Sequence, residues 1–169
     1  MQYFARRCLS IANIIVLESK KMKLIIDIEP KPQSRPRFSK WGTYESPEMK
    51  EWRKKVTDYF IENYSGHYFD CAAKVNITFY MKAPKTISKE PSKRARLKTI
   101  EKFQRFVREL IWHDKKPDLD NLVKAVFDSI SKSEIVWTDD NIVCDLHAKK
   151  VYSPNPRIEI EIEEIKNDI

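Results

Sequence analysis

The chain has 169 residues, enough for one domain with a modest core, and its 32 Lys and Arg against 25 Asp and Glu give a formal net charge of +7, which favours an anionic partner. With only 2 glycines, Gly42 and Gly66, it has no phosphate-cradling glycine loop, which excludes P-loop and dinucleotide-binding readings; no organic cofactor is expected. Cys8, Cys71 and Cys144 are dispersed, as are His67, His113 and His147, which excludes a disulfide frame, a zinc ribbon and a His-x-x-x-His zinc site and points to a reducing cytoplasm.

At the start, Arg6 and Arg7 precede an apolar run from Cys8 to Leu17 that is broken by Ser10 and Asn13. The run is too short and too polar to span a membrane, and no small-residue cleavage pattern follows it. Residues 1–21 therefore read as an N-terminal extension or short extra helix upstream of Met22, and residues 22–169 as a single domain.

Lys23 to Glu29 predicts a first strand around Leu24, Ile25, Ile26 and Ile28, stopped by Pro30. Lys31 to Tyr44 follows, rich in proline and cations; Arg35 and Arg37 flank Pro36, so the chain there is extended and both guanidiniums can reach phosphates, although a solvated basic loop explains the piece nearly as well. Ser46 as N-cap and Pro47 at the first helical position predict a helix to about Tyr64, with Trp52, Tyr59 and Phe60 on its core face. Ala73 to Lys82 alternates as a second strand.

Pro84 to Lys116 is the basic block, in which Lys93, Arg94, Arg96, Lys115 and Lys116 stand among many other cations. The spacing of Ile100, Phe103, Phe106, Val107, Leu110 and Ile111 predicts a helix from about Ser92 to Trp112. A solvated helix face would account for the charge; because the block runs into Asp118, it can also lay positive charge along a nucleic-acid backbone.

The next stretch holds the chemistry. Leu119, Leu122, Val123, Val126, Phe127 and Ile130 form one apolar stripe, while Asp120, Asn121, Lys124 and Asp128 share the opposite flank and Asp118 stands at the helix mouth behind Pro117. Helix capping accounts for one aspartate but not for Asp120. Together with Asp139 and Asp140 from a later loop, these carboxylates suit a hard divalent cation, with magnesium or manganese fitting best. Ile142 to Tyr152 and Arg157 to Ile165 predict two more strands, read as a hairpin about Pro154 and Pro156. The fold class is α+β or mixed α/β, with about four strands and helices packed on one face.

Asp118-x-Asp120-Asn121-Leu122-x-Lys124-Ala125-x-x-Asp128, followed by Trp137-x-Asp139-Asp140, resembles the signature of the RusA-type Holliday junction resolvases, endonucleases of phage and bacterial origin. Ser34-Arg35-Pro36-Arg37-Phe38 and the charged strand near Asp145 to Val151 extend the likeness over roughly Met22 to Glu163. The resemblance implies a homodimeric RusA-like fold that resolves four-way DNA by paired symmetric nicks in recombination and repair. It implies Asp118, Asp120 and Asp140 as metal ligands and catalytic acids, with Asp139 able to replace Asp140, and Lys124 as the catalytic lysine. It assigns Arg35 and Arg37 to a DNA-contact arm. Asp128 is left between support of the ligands and a purely structural part. The first strand and the apolar face of the Pro47 helix are the candidate dimer surfaces. Pro84 to Trp112 is longer and more cationic than the short connection of compact members, which bears on the DNA footprint.

Two other functions compete with this reading. A non-catalytic basic DNA-binding protein explains the charge but leaves the converging aspartates without a purpose, and a metal-dependent nucleotidyl or glycosyl transferase explains Asp118-x-Asp120 but lacks a nucleotide fold.

Overall fold

The computed structural model describes residues 20–33, 37–40 and 42–166, with the backbone path alone at 37–39, 43 and 44. In chain order its elements are β1 (Lys21–Ile26), β2 (Arg37–Ser39), β3 (Gly42–Tyr44), α1 (Pro47–Asn63), β4 (Ala73–Lys82), α2 (Lys85–Ser88), α3 (Leu97–Val107), α4 (Leu119–Ser133), a 3₁₀ turn (Asp140–Ile142), β5 (Val143–Ser153) and β6 (Arg157–Glu164). The expected N-terminal extension lies almost wholly outside the described residues, although Lys21 already pairs with Glu163 in the sheet.

The main sheet has the order β1-β6-β4-β5. Beta-branched and apolar residues alternate with polar ones along β4 and β6, so one face is apolar, and the register sets Val75, Ile77 and Phe79 directly opposite Ile162, Ile160 and Ile158. All six are at most 1% exposed and share one core with Met49, Val56 and Phe60 of α1 and Leu122, Val126 and Ile130 of α4. Truncating one of these large aliphatics to alanine costs about 2–5 kcal/mol. Trp52 and Phe60 of α1 are thus core, as their spacing predicts, while Tyr59 packs half-buried at its margin; the apolar face of α1 is therefore closed to a dimer partner.

The expected hairpin between the last two strands does not form. β4 lies between them, antiparallel to β6 and parallel to β5. The three isoleucines of β6 are buried between Val75, Ile77 and Phe79 of β4 and Met22, Leu24 and Ile26 of β1, whereas β5 is exposed or half-exposed over its first eight residues and suits the sheet edge. Residues 154–156 span two interstrand spacings, about 10 Å, over the end of β4.

Parallel pairing of β4 with β5 requires a long crossover, and that crossover carries α2, α3 and α4. The predicted Ser92 to Trp112 helix is shorter at both ends. Lys93 and Arg94 lie in a turn closed by Ala95 N–H donating to Ser92 O, and Arg96 is the N-cap. At the other end, Glu109 turns left-handed (φ 59°), and Ile111 to His113 pair with the outer edge of β5 through Tyr152 N–H to Ile111 O and His113 N–H to Lys150 O. Tertiary pairing overrides helix periodicity there. The arm after β1, expected only as extended chain, contains the short β2–β3 hairpin, turned at Gly42 with φ +118°, a conformation only glycine adopts readily.

Candidate active site

α4 begins as its sequence dictates, with Asp118 as N-cap in extended conformation. The Asp118 carboxylate makes no capping bond, and among the described residues it has no hydrogen bond or ion pair. The turn before it contains a cis Lys116–Pro117 peptide. Lys150 of β5 secures this turn by donating from Nζ to Lys115 O at 2.7 Å and to Pro117 O.

The helical period puts Asp120 and Lys124 on the same side of α4, and the chain returns through the 3₁₀ turn to set Asp140 against them. All three line one open cleft of about 560 Å³ whose wall is apolar, with Leu119, Val123 and Phe127 from α4 facing Val143, Leu146 and Ala148 from β5. Lys124 donates to Asp128 Oδ1 at 2.7 Å. That bond, joined by the charges of Asp128 and Asp140, raises the lysine pKa and keeps it a cation at neutral pH. Asp128 is the lysine's anchor, and Arg53 lies 3.6 Å from its other oxygen.

The acidic pair divides its labour. Asp139 Oδ1 accepts from Asn141 N–H at 2.9 Å and caps the 3₁₀ turn, whereas Asp140 lies on the cleft wall with no hydrogen bond to its carboxylate among the described residues. Asp120 accepts only a long 3.4 Å bond from Asn121 Nδ2. The structure thus brings Asp120, Lys124 and Asp140 together and leaves Asp118 and Asp139 off the cleft lining. Among the described residues, no three acidic, histidine or cysteine side chains are gathered closely enough to hold a metal ion. The donors at the cleft are nevertheless carboxylate oxygens without competing ion-pair partners other than Lys124, a donor set that fits a hard divalent cation.

Of the expected DNA contacts, Arg35 is outside the described residues and Arg37 opens β2. Lys93, Arg94 and Arg96 are exposed at the start of α3, and Lys115 and Lys116 are exposed immediately before Asp118. Lys115 lies 3.6 Å from Asp114; the other four have no ion-pair partner among the described residues. In the chain the two groups are divided by α3, 11 residues long, and by the segment Ile111 to His113 that pairs with β5. Sequence reading missed Arg53, Gln33, Glu45 and Lys150. Their side-chain partners are 8 to 75 positions away, so no local period marks them.

A family model described as endodeoxyribonuclease RusA matches residues 27–163, well over half of the chain. The chain belongs to the RusA endodeoxyribonuclease family. Among curated relatives it is 44% identical over 54 residues, 32% of this chain and 40% of the relative, to a protein of Lactococcus phage r1t named crossover junction endodeoxyribonuclease rusA. It is also 31% identical over 91 residues, 54% of this chain and 56% of the relative, to the uncharacterized protein YqaN of Bacillus subtilis strain 168. The matched regions therefore span about half the length of these relatives.

Proposed function

We propose that this chain is a divalent-metal-dependent endodeoxyribonuclease that resolves four-way DNA junctions by paired symmetric nicks. The observation that carries the reading is the convergence of Asp120, Lys124 and Asp140 on one cleft in a chain of the RusA family. The phage relative's name supports crossover junctions as the substrate.

Asp120 and Asp140 are the cleft residues that would hold the metal, magnesium or in its place manganese, and Asp118, off the cleft lining, is added as a third donor on the family resemblance; Asp140 is preferred to Asp139 because the latter is occupied in capping its own turn. When bound, such an ion lowers the pKa of a water and neutralises developing charge on a phosphate. Lys124 places a permanent cation beside those acids, where it stabilises negative charge on the non-bridging oxygens, and Asp128 fixes its direction. Lys115 and Lys116 just before Asp118, Lys93, Arg94 and Arg96 before α3, and Arg35 and Arg37 after the first strand are assigned to the phosphate backbone.

Nicking two strands of like polarity calls for two sites, and a homodimer supplies them. Among the described residues β1 is an edge strand of the main sheet, and we assign that edge to the partner copy. A single domain over residues 22–169 acting in the cytoplasm in DNA recombination and repair completes the proposal, and the dispersed cysteines suit that reducing compartment. Among the described residues no helix is long and apolar enough to cross a membrane.

The test is cleavage of a synthetic four-way junction beside linear duplex of the same sequence, with magnesium or chelator, for wild type and Asp120→Asn. Paired nicks that need metal and fall about 10²-fold or more in the variant, with binding retained, are expected. Binding without nicks under any metal would leave a basic structure-selective binder.

A further inference from the structure

Arg53 belongs to none of the motifs that mark the site, yet its guanidinium is the meeting point of three segments. Nη2 lies 2.5 Å from Gln33 Oε1 and 2.7 Å from Glu45 Oε1, and Nη1 donates to Glu45 Oε2 at 3.3 Å. The same head stands 3.6 Å from Asp128 Oδ2 on α4, while Asp128 Oδ1 takes the Lys124 bond at 2.7 Å. Only 17% of the Arg53 side chain is exposed.

Its partners are placed to do more than neutralise it. Gln33 and Glu45 bracket the β2–β3 hairpin, which carries Arg37 and Lys40, and they also touch each other at 3.4 Å. The Gln33 backbone N–H donates to Asn121 O on α4 at 2.8 Å. One guanidinium and one backbone bond therefore fasten the base of the hairpin to the helix that bears Asp120 and Lys124. A planar fork suits a site where two carboxylates and an amide are met at once; a lysine ammonium is a compact charge without that fixed fork. A half-buried cation recovers its lost hydration only while all its partners are in place, so loosening one loosens the rest.

We propose that Arg53 is a positioning residue that ties the cationic β2–β3 hairpin to the aspartate helix and, through Asp128, sets where Lys124 stands. Phosphate held by the hairpin is in this way linked to the lysine that meets the scissile phosphate. The catalytic half of this inference rests on the junction-nicking reading; the structural half does not.

The experiment uses the full chain with Arg53→Gln, Arg53→Lys and Glu45→Gln, the last serving if the first does not fold. Amide hydrogen exchange without DNA comes first. Exchange at Gln33 and across 37–44 rises about tenfold or more in Arg53→Gln and Arg53→Lys, and β4 and β6 stay protected. Junction nicking follows, for Arg37→Ala alone and combined with Arg53→Gln. Each single change lowers kcat/KM about tenfold, Arg53→Gln mainly in kcat, and the double variant is no worse than Arg53→Gln alone. Unchanged exchange at Gln33, full activity with Arg53→Lys, or losses that multiply in the double variant would overturn the proposal. A folded wild type that nicks no junction would overturn the functional reading instead, and exchange would then decide the tie by itself.

Discussion

Replacing Glu109 by glutamine removes one negative charge from the joint where the chain leaves α3 and turns towards Asp118. Glu109 takes Arg157 Nη1 at 2.7 Å on one oxygen and Nη2 at 3.1 Å on the other, and Ser153 Oγ donates to it at 2.7 Å. Both partners are largely covered, Arg157 15% and Glu109 24% exposed, and the guanidinium lies 3.5 Å from the Tyr80 ring centroid. Bonds to charged groups are worth about 1.5–3 kcal/mol each, but Arg157 keeps Glu159 at 2.8 Å, so the cation is not orphaned. The expected loss is about 2–3 kcal/mol, or roughly 5–10 °C in Tm for a chain of this size. Glutamine has the same reach and the same tolerance of the left-handed backbone at φ 59°, so the substitution isolates the charge.

The sign with pH follows from linkage. The Arg157 guanidinium, helped by the Ser153 hydroxyl, holds Glu109 below the ordinary carboxylate range. A depressed folded pKa gives stability that is present in full above the unfolded value, about 4.3, and is lost as pH falls through the folded one. Urea unfolding of wild type and Glu109→Gln should therefore differ by a constant amount between about pH 6 and 8 and converge below about pH 4. A difference under about 0.5 kcal/mol at neutral pH, or one that persists unchanged into acid, would refute the reasoning.

The acidic pair and the basic surface give two further expectations. Asp140→Asn should lower junction nicking about 10²-fold with unaltered unfolding, whereas Asp139→Asn keeps its cap to Asn141 and should lose less than about tenfold; equal losses would mean that Asp139 also acts on the reacting groups. Changing both Lys115 and Lys116 to alanine should reduce the slope of log binding constant against log salt by about 0.9 per contacted phosphate, measured by fluorescence anisotropy with chelator present. An unchanged slope would remove these two lysines from the DNA path.

How far the chain's own order of residues decides the fold can be judged element by element. Ser46-Pro47 names a helix start because the hydroxyl takes the Met49 N–H and proline needs no donor there, and α1 begins at Pro47. The alternation of Ala73 to Lys82 becomes β4 with the same ends, and the apolar stripe of α4 faces the core while Asp120 and Lys124 face the cleft. These are local properties, since a period of two or 3.6 residues is set by backbone geometry alone.

What needed the tertiary structure was everything that joins distant positions. The proline-rich turn at 154–156 reads as a hairpin, but which strand lies beside β6 is decided by the apolar face of β4, more than seventy residues earlier. The end of α3 is set by Arg157 and by the free edge of β5 rather than by its own spacing. The functions of Asp128, Asp139 and Asp140 follow the same division. As sequence, Asp139 can stand in for Asp140 and Asp128 stays between support and structure, and only the packing of α1 and the 3₁₀ turn makes one an anchor for Lys124, one a cap and one a wall of the cleft. Short-range geometry is written in neighbouring residues, whereas the partner of a buried charge is chosen by whichever segment folding brings to it.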